Sequence, residues 1–293
     1  MMTKTVALPT GETVPALGLG TWMMGESANA REKEIAAIRH AIDCGYRLFD
    51  TAEMYGEGGA ETILGKALAD AMRSNAVKRE DIIVVSKVYP HHADTKGVIA
   101  ACEASRKRLG LDTIDVYLLH WRGSVPLAET VDAFETIKVN GAIRHWGVSN
   151  FDVDDLRELE ALDTARTLSR RRAACVINQI YYALDERGAE FSLLAYQRSL
   201  RMPMMAYCPL GRGALAKNRT LMRLGEARGV TAAQIALAWV MQHPDVIAIP
   251  KAVDHRHLAE NIAAADMVLS QAELTQIDAA FEPPSKKQAL AMV

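Results

Sequence analysis

Asp50, Tyr55, Lys87 and His120 are the residues whose types and spacing suit proton-transfer chemistry. Each stands at or just beyond the end of an apolar run: Phe49-Asp50-Thr51-Ala52-Glu53-Met54-Tyr55, Val85-Ser86-Lys87 and Leu118-Leu119-His120. A lysine in such surroundings needs a counter-charge, because an isolated ammonium out of water is costly, and Asp50 one strand away is the nearest candidate by topology. Tyr55 lies in a glycine-rich turn, Tyr55-Gly56-Glu57-Gly58-Gly59, that could return its hydroxyl over the same spot. A neighbouring ammonium stabilises a phenolate, so the pairing predicts a donor more acidic than the usual phenol, whose pKa is about 10. His120 could polarise a substrate carbonyl from the other side, a role that asks for a fixed tautomer rather than a change of charge. Each of the four alone is more often structural; their convergence from neighbouring strand ends is what points to an acid and an oxyanion clamp.

The elements that must position them alternate regularly. Strand-like runs cover 17–21, 47–52, 82–88, 114–120, 143–150, 174–180, 203–210 and 246–251, and helical stretches with apolar residues at three-to-four spacing include 31–44, 60–73, 96–109, 127–140, 191–200 and 231–243. Ile82-Ile83-Val84-Val85 is apolar without alternation, as a strand covered on both faces of a parallel sheet would be. Such a series predicts one α/β domain over residues 1–293, a (β/α)8 TIM barrel, whose catalytic groups belong at the carboxyl ends of the strands. The opening TVALPTGETVPAL reads as a β-hairpin turning at Pro9-Thr10-Gly11 and capping the barrel bottom. The segment from Phe281 to Val293 reads as a short surface tail.

Composition narrows the partners. The 293 residues carry 34 basic and 36 acidic side chains, so no global field holds the chain on nucleic acid or an anionic membrane. No apolar run approaches the roughly 20 residues of a membrane span, and Cys44, Cys102, Cys175 and Cys208 lie far apart without a secretory leader. The expectation is a cytoplasmic protein with reduced thiols, a monomer or weak homo-oligomer, acting on a small molecule.

Several other features read as structural. Gly18-Leu19-Gly20 is no dinucleotide fingerprint, since Met23 stands where a third glycine should be. His91-His92 lacks the partners of a metal site, and no metal is expected. Arg170-Arg171-Arg172, with Arg166 nearby, lacks interleaved aromatics and reads as a solvated patch. Cys208 reads as a small hydrophobe.

The motifs D50-T-A-E-M-Y55-G, V-S-K87-V, L-L-H120-W and G-V-S-N150-F resemble the aldo-keto reductase superfamily over nearly the whole chain, and the details GTWMMGE, EMYGEGGAE, VSKVYP, LLHWRGS, RHWGVSNF and KQALAMV look most like its bacterial methylglyoxal reductase-type branch. The resemblance implies that Tyr55 donates a proton, Lys87 and Asp50 tune it, and His120 orients a carbonyl while a nicotinamide delivers hydride. It implies that Ser149, Asn150 and Gln179 hold the carboxamide and Tyr207 stacks on the nicotinamide ring, with Gly20, Thr21 and Trp22 beside the cofactor. Pro209, Leu210, Gly211 and Arg212 match the loop over the pyrophosphate, with Cys208 in place of the usual serine. Lys251, Arg256, His257, Glu260 and Asn261 match the segment around the adenosine 2′-phosphate. There Ala252, Asp254 and His257 depart from the usual pattern: Asp254 would repel a phosphate, while Lys251 and Arg256 would attract one. NADP(H) is favoured and NAD(H) stays open. Trp22, Tyr89 and Trp121 would line an aromatic substrate pocket that the short tail leaves open. The implied reaction is reduction of small aldehydes and ketones, 2-oxoaldehydes such as methylglyoxal among them. Two alternatives remain at this point: a Schiff-base lyase or aldolase using Lys87 as nucleophile, and a nicotinamide-binding redox-sensing partner module.

Overall fold

The computed structural model describes residues 4–167 and 175–292. Its first two strands, β1 (Thr5–Ala7) and β2 (Thr13–Pro15), form an antiparallel hairpin with Val6 opposite Val14. Then come β3 (Leu19–Gly20), α1 (Arg31–Asp43), β4 (Leu48–Asp50), α2 (Gly59–Arg73), β5 (Ile83–Val88), α3 (Thr95–Leu109), β6 (Ile114–Leu119), α4 (Leu127–Val139), β7 (Ile143–Ser149) and α5 (Val153–Thr167). The second half holds β8 (Cys175–Tyr181), α6 (Leu193–Ser199), β9 (Met204–Tyr207), α7 (Arg219–Arg228), α8 (Ala232–Val240), β10 (Val246–Ile249), α9 (His255–Ala263) and α10 (Gln271–Ala280).

Strands β3 to β10 pair in parallel, each with its neighbour in chain order. The seam closes where Leu17 bridges Ala248: Gly18 N donates to Ala248 O at 2.8 Å and Ala248 N to Ala16 O at 2.9 Å. The result is the eight-stranded parallel barrel that the alternating runs predict. β6 is buried at every residue and β5 at all but Ile83, because the helices cover their outer face and the barrel interior the other. The hairpin lies across the amino ends of the strands, with Glu12 bonding Arg144 and His145 at the start of β7, each at 2.8 Å.

Local chemistry explains the helix ends. Asp94 caps α3 by accepting from Gly97 N at 2.6 Å, and Gly110 ends the helix in the left-handed region at φ +65°. Reciprocal capping boxes start α8 (Thr231 with Gln234) and α10 (Ser270 with Glu273). Six of the eight barrel strands stop one to three residues short of the expected carboxyl end, whereas β5 ends at Val88 as expected and β8 runs one residue further, to Tyr181. At β9 the chain leaves the sheet after Tyr207 because Cys208 turns it at φ +50°. The basic run Arg170-Arg171-Arg172 and the expected strand start at 174 lie outside the described residues, as does the side chain of Arg166.

Candidate active site

The carboxyl ends of β4, β5 and β6 bring the four proton-transfer candidates together. Lys87 is fully buried, and its Nζ donates to Asp50 Oδ2 at 2.8 Å, to Thr51 O at 2.8 Å and to Tyr55 Oη at 3.1 Å. Three acceptors engage all three N–H bonds of an ammonium. Asp50 is held from its other side by Gln179 Nε2, which donates to Oδ1 at 2.7 Å from across the barrel. Behind Lys87, buried Glu61 accepts from Ser86 Oγ and from Arg108 Nε, both at 2.6 Å, tying α2 to β5 and α3. The His120 ring stands edge-on to Tyr55, 5.7 Å between centroids, and against Trp121 at 4.9 Å.

Glycines place Tyr55. Gly25, at φ +75°, lies directly against Gly59, so that a Cβ on Gly25 would stand 2.2 Å from the Gly59 carbonyl carbon. Gly56, at φ +57°, would put its own Cβ 2.9 Å from the carbonyl carbon of Gly25. Backbone therefore packs on backbone between the β3–α1 and β4–α2 loops, and the turn carrying Tyr55 can take one position.

Burial dominates the electrostatics. It pushes the Tyr55 phenol well above its ordinary value, with Asp50, Cys208 and Tyr207 adding to the effect. The more acidic phenol expected from the sequence is thus not what the protein's own groups produce, because the ammonium beside it is neutralised by Asp50. Burial likewise lowers Lys87 and raises Asp50, each opposed by its partner. As a unit the pair has no net charge whichever atom holds the proton. Burial and the Lys87 ammonium hold His120 well below the usual imidazole value, so the ring is neutral and carries one N–H. Its Nδ1 is buried and has no hydrogen-bond partner among the described residues, so ring contacts rather than a fixed hydrogen bond orient it.

A cleft of about 590 Å³ opens over these groups. Its lining includes Gly20, Trp22, Asp50, Tyr55, His120, Trp121, Ser149, Asn150, Gln179, Tyr207, Pro209, Leu210, Arg212, Lys251, His257, Glu260 and Asn261. A hydrogen-bonded chain crosses its middle. Tyr207 Oη donates to Asn150 Oδ1 at 3.0 Å, Asn150 Nδ2 to His120 O at 3.1 Å, and Ser149 Oγ to Gln179 O at 2.8 Å. Tyr181 stacks on Tyr207 with centroids 5.6 Å apart.

Other expected residues are not on the wall. Thr21 Oγ1 donates to Asp50 O at 3.0 Å and braces β3 on β4. Tyr89 packs edge-on against Trp121, while its backbone N donates to Glu53 Oε1 at 2.7 Å. Gly211 is buried against the Asp185 carboxylate, whose Oδ2 would be 2.3 Å from an added Cβ. Exposed Arg256 leans along α9 towards Glu260, 3.7 Å away. Asp254, expected to repel a phosphate, is not on the wall either: it caps α9, accepting from Arg256 N at 2.9 Å and His257 N at 3.3 Å. Those amides hold its carboxyl below the ordinary value. Of the adjacent histidines, His92 Nδ1 meets Glu53 Oε1 at 3.1 Å and His91 packs on Tyr89. Among the described residues no group of three or more His, Cys, Asp or Glu side chains is arranged to hold a metal ion.

Sequence reasoning missed Met23, Met54, Gly213, Ala216, Ala233 and Met292 on the wall. Met23 and Met54 adjoin Trp22 and Tyr55, and that adjacency was the available signal. Met292 had none. The tail, read as a surface segment that leaves the pocket open, instead crosses the mouth: Lys287 Nζ pairs with Asp152 Oδ2 at 3.0 Å and Ala291 O accepts from Tyr207 Oη at 3.5 Å.

Comparison with known proteins gives the family. The chain is 43% identical over the full length of both proteins to methylglyoxal reductase YeaE of Escherichia coli K12. It is 32% identical to a glyoxal reductase of Bacillus subtilis, covering 94% of this chain and 92% of that one. The crystal structure of an aldo-keto reductase from Klebsiella pneumoniae in complex with NADPH superimposes with a TM-score of 0.91, at 44% identity and with both chains covered completely. The description "Aldo/keto reductase family" matches residues 16–282, from the approach to β3 to just past α10. A match over that span, joined to 43% identity over the full length of one relative, makes this chain a member of the aldo/keto reductase family.

Proposed function

We propose that this protein reduces small aldehydes and ketones, 2-oxoaldehydes among them, to alcohols with NADPH, using Tyr55 as the proton donor. The observation that carries the reading is Lys87, whose ammonium bonds Asp50 and Tyr55 together under the cleft.

The walls fit a nicotinamide dinucleotide. Gly20 lines the cleft where a Cβ would come within 2.8 Å of Ile249 O, so the wall there is bare backbone. Tyr207 has one ring face backed by Tyr181, and Arg212 and Lys251 on the wall supply cationic groups, and His257 a ring N–H, for phosphates. Ser149 and Asn150 offer polar atoms for a carboxamide, and Gln179, with Nε2 engaged by Asp50, offers its carbonyl oxygen. When bound, NADPH supplies the hydride. Tyr55 and His120 then meet the substrate oxygen from two sides. A phenol with a raised pKa keeps its proton until an alkoxide, a far stronger base, forms beside it. The neutral imidazole donates its one N–H to the same oxygen, and Lys87 steadies the phenol oxygen as its proton leaves.

The lyase alternative loses its geometry, because Lys87 lies behind the wall with all three N–H bonds engaged. The partner-module alternative predicts tight cofactor binding with negligible turnover. Loss of NADPH absorbance on a panel of methylglyoxal, glyoxal and simple aldehydes tests the main reading; binding without turnover on the whole panel would refute it. On the same reading residues 1–293 act as one barrel domain in the cytoplasm, as a monomer or weak homo-oligomer. No helix among the described residues is long and apolar enough to cross a membrane.

A further inference from the structure

Among the described residues four methionines are strongly exposed: Met23 at 54%, Met54 at 37%, Met222 at 44% and Met292 at 62%. Three of them, Met23, Met54 and Met292, line the cleft over Tyr55, although they come from the β3–α1 loop, the β4–α2 loop and the tail. Met222 sits apart on α7. Met24, Met202, Met204, Met205 and Met241 are buried. Exposure thus sorts the thioethers, and all but one of the exposed set falls on the mouth of the site. Met23 takes its place through a left-handed backbone at φ +61°, a conformation a non-glycine residue adopts at some cost.

We propose that Met23, Met54 and Met292 form an oxidisable rim, at which hydroperoxides turn the thioethers into sulfoxides and thereby weaken the grip of the cleft on bulky apolar carbonyl substrates. In the step the sulfur lone pair attacks one peroxide oxygen, an S–O bond forms as the O–O bond breaks, and the displaced alkoxide or hydroxide takes a proton to leave as alcohol or water. Sulfur loses two electrons and the peroxide gains them. A flexible apolar side chain becomes a polar one. On this proposal a small substrate held at Tyr55 and His120 ends short of the rim, and one with a phenyl group reaches it. Cys208 also lines the cleft, but burial pushes its thiol up to about 11, and a thiol that stays protonated is the slower target.

The inference rests on the carbonyl-reductase reading. The test treats the full-length enzyme with hydrogen peroxide, stops with catalase, maps added oxygen by peptide mass spectrometry, and measures benzaldehyde and methylglyoxal reduction. Oxygen is expected on Met23, Met54, Met292 and Met222. The KM for benzaldehyde should rise about fivefold, as the loss of some tens of Å² of apolar contact gives, with kcat and the methylglyoxal KM nearly unchanged. A methionine sulfoxide reductase pair should restore the original KM and dithiothreitol alone should not. Met222→Leu should stay as sensitive as the parent. The triple variant Met23→Leu, Met54→Leu, Met292→Leu should show the same benzaldehyde KM before and after peroxide. Met292→Leu alone, in the tail, should lose part of the sensitivity and keeps the test open if the triple variant does not fold. An oxidised rim with an unchanged benzaldehyde KM would overturn the proposal. So would rescue by dithiothreitol alone, which assigns the effect to Cys208. Absence of turnover on either aldehyde before oxidation would instead refute the carbonyl-reductase reading.

Discussion

Replacing Tyr55 by Phe removes one hydroxyl from a site whose other contacts persist, which makes it the sharpest test of the chemistry. In the parent, Lys87 Nζ has three acceptors, Asp50, Thr51 O and Tyr55 Oη; the variant removes only the longest of these, at 3.1 Å. The ion pair remains, so the loss in folding stability should stay near 1 kcal/mol, the net worth of one hydrogen bond. The effect on turnover should be far larger. A positioned general acid contributes about 10²- to 10⁴-fold, which corresponds to roughly 3–5 kcal/mol of barrier. The expected result is a kcat for methylglyoxal lower by at least about a hundredfold, with the NADPH affinity from fluorescence quenching unchanged. Single-turnover loss of NADPH absorbance separates chemistry from product release. A Tyr55→Phe enzyme with full activity would refute Tyr55 as the acid and send the search to the other proton donor at the same oxygen, His120.

Lys87→Met should leave the Asp50 carboxylate buried without its partner and cost about 3–5 kcal/mol in denaturant unfolding, while Asp50→Asn with Lys87→Met should regain much of the stability but not the activity. Gly25→Ala has no room and the wrong backbone region; it should lower Tm by several degrees and kcat with it, since the Tyr55 turn must shift. For pH, kcat/KM should be flat through neutrality and decline on the alkaline side only above the ordinary phenol value of about 10, because Tyr55 is raised. His120 is depressed, so its contribution to stability is fully present above the unfolded imidazole value of 6.5 and is lost as pH falls below it towards the folded value. Urea unfolding of the parent against His120→Gln across that range should show the difference shrink; a constant difference would contradict a neutral buried ring.

The barrel was legible because strands such as β6 are buried on both faces and six of the helices carry a clear apolar spacing, whereas α5, α7 and α10 were passed over. Helix α9, HRHLAENIA, buries only Leu258 and Asn261 and gave no such pattern. The Asp50, Lys87 and Tyr55 cluster was also legible, since strand order brings β4 and β5 side by side and a buried ammonium demands a partner. The acidity of Tyr55 was not, because charge type can be read from residues whereas the balance of burial against charge needs coordinates. The cap formed by Asp254 was not legible for a related reason: whether a carboxylate faces a ligand or caps a helix depends on one backbone turn. Lys287 and Met292 lie in a segment without periodicity, and only tertiary contact draws the tail over the mouth.

The meeting of Gly25 with Gly56 and Gly59 has a further consequence for how such an enzyme diversifies. A clash at a main-chain contact finds no pliable neighbour to give way, so substitution of these three glycines, or insertion or deletion in either loop, would displace the proton donor before altering what the site accepts. Freedom to change substrate is therefore confined to side chains hung on that fixed frame and to the last few residues of the chain. Libraries that randomise Met23, Met54, Trp121 and Met292 while sparing the three glycines should yield many folded, active proteins with shifted preferences, and libraries that include the glycines should yield few.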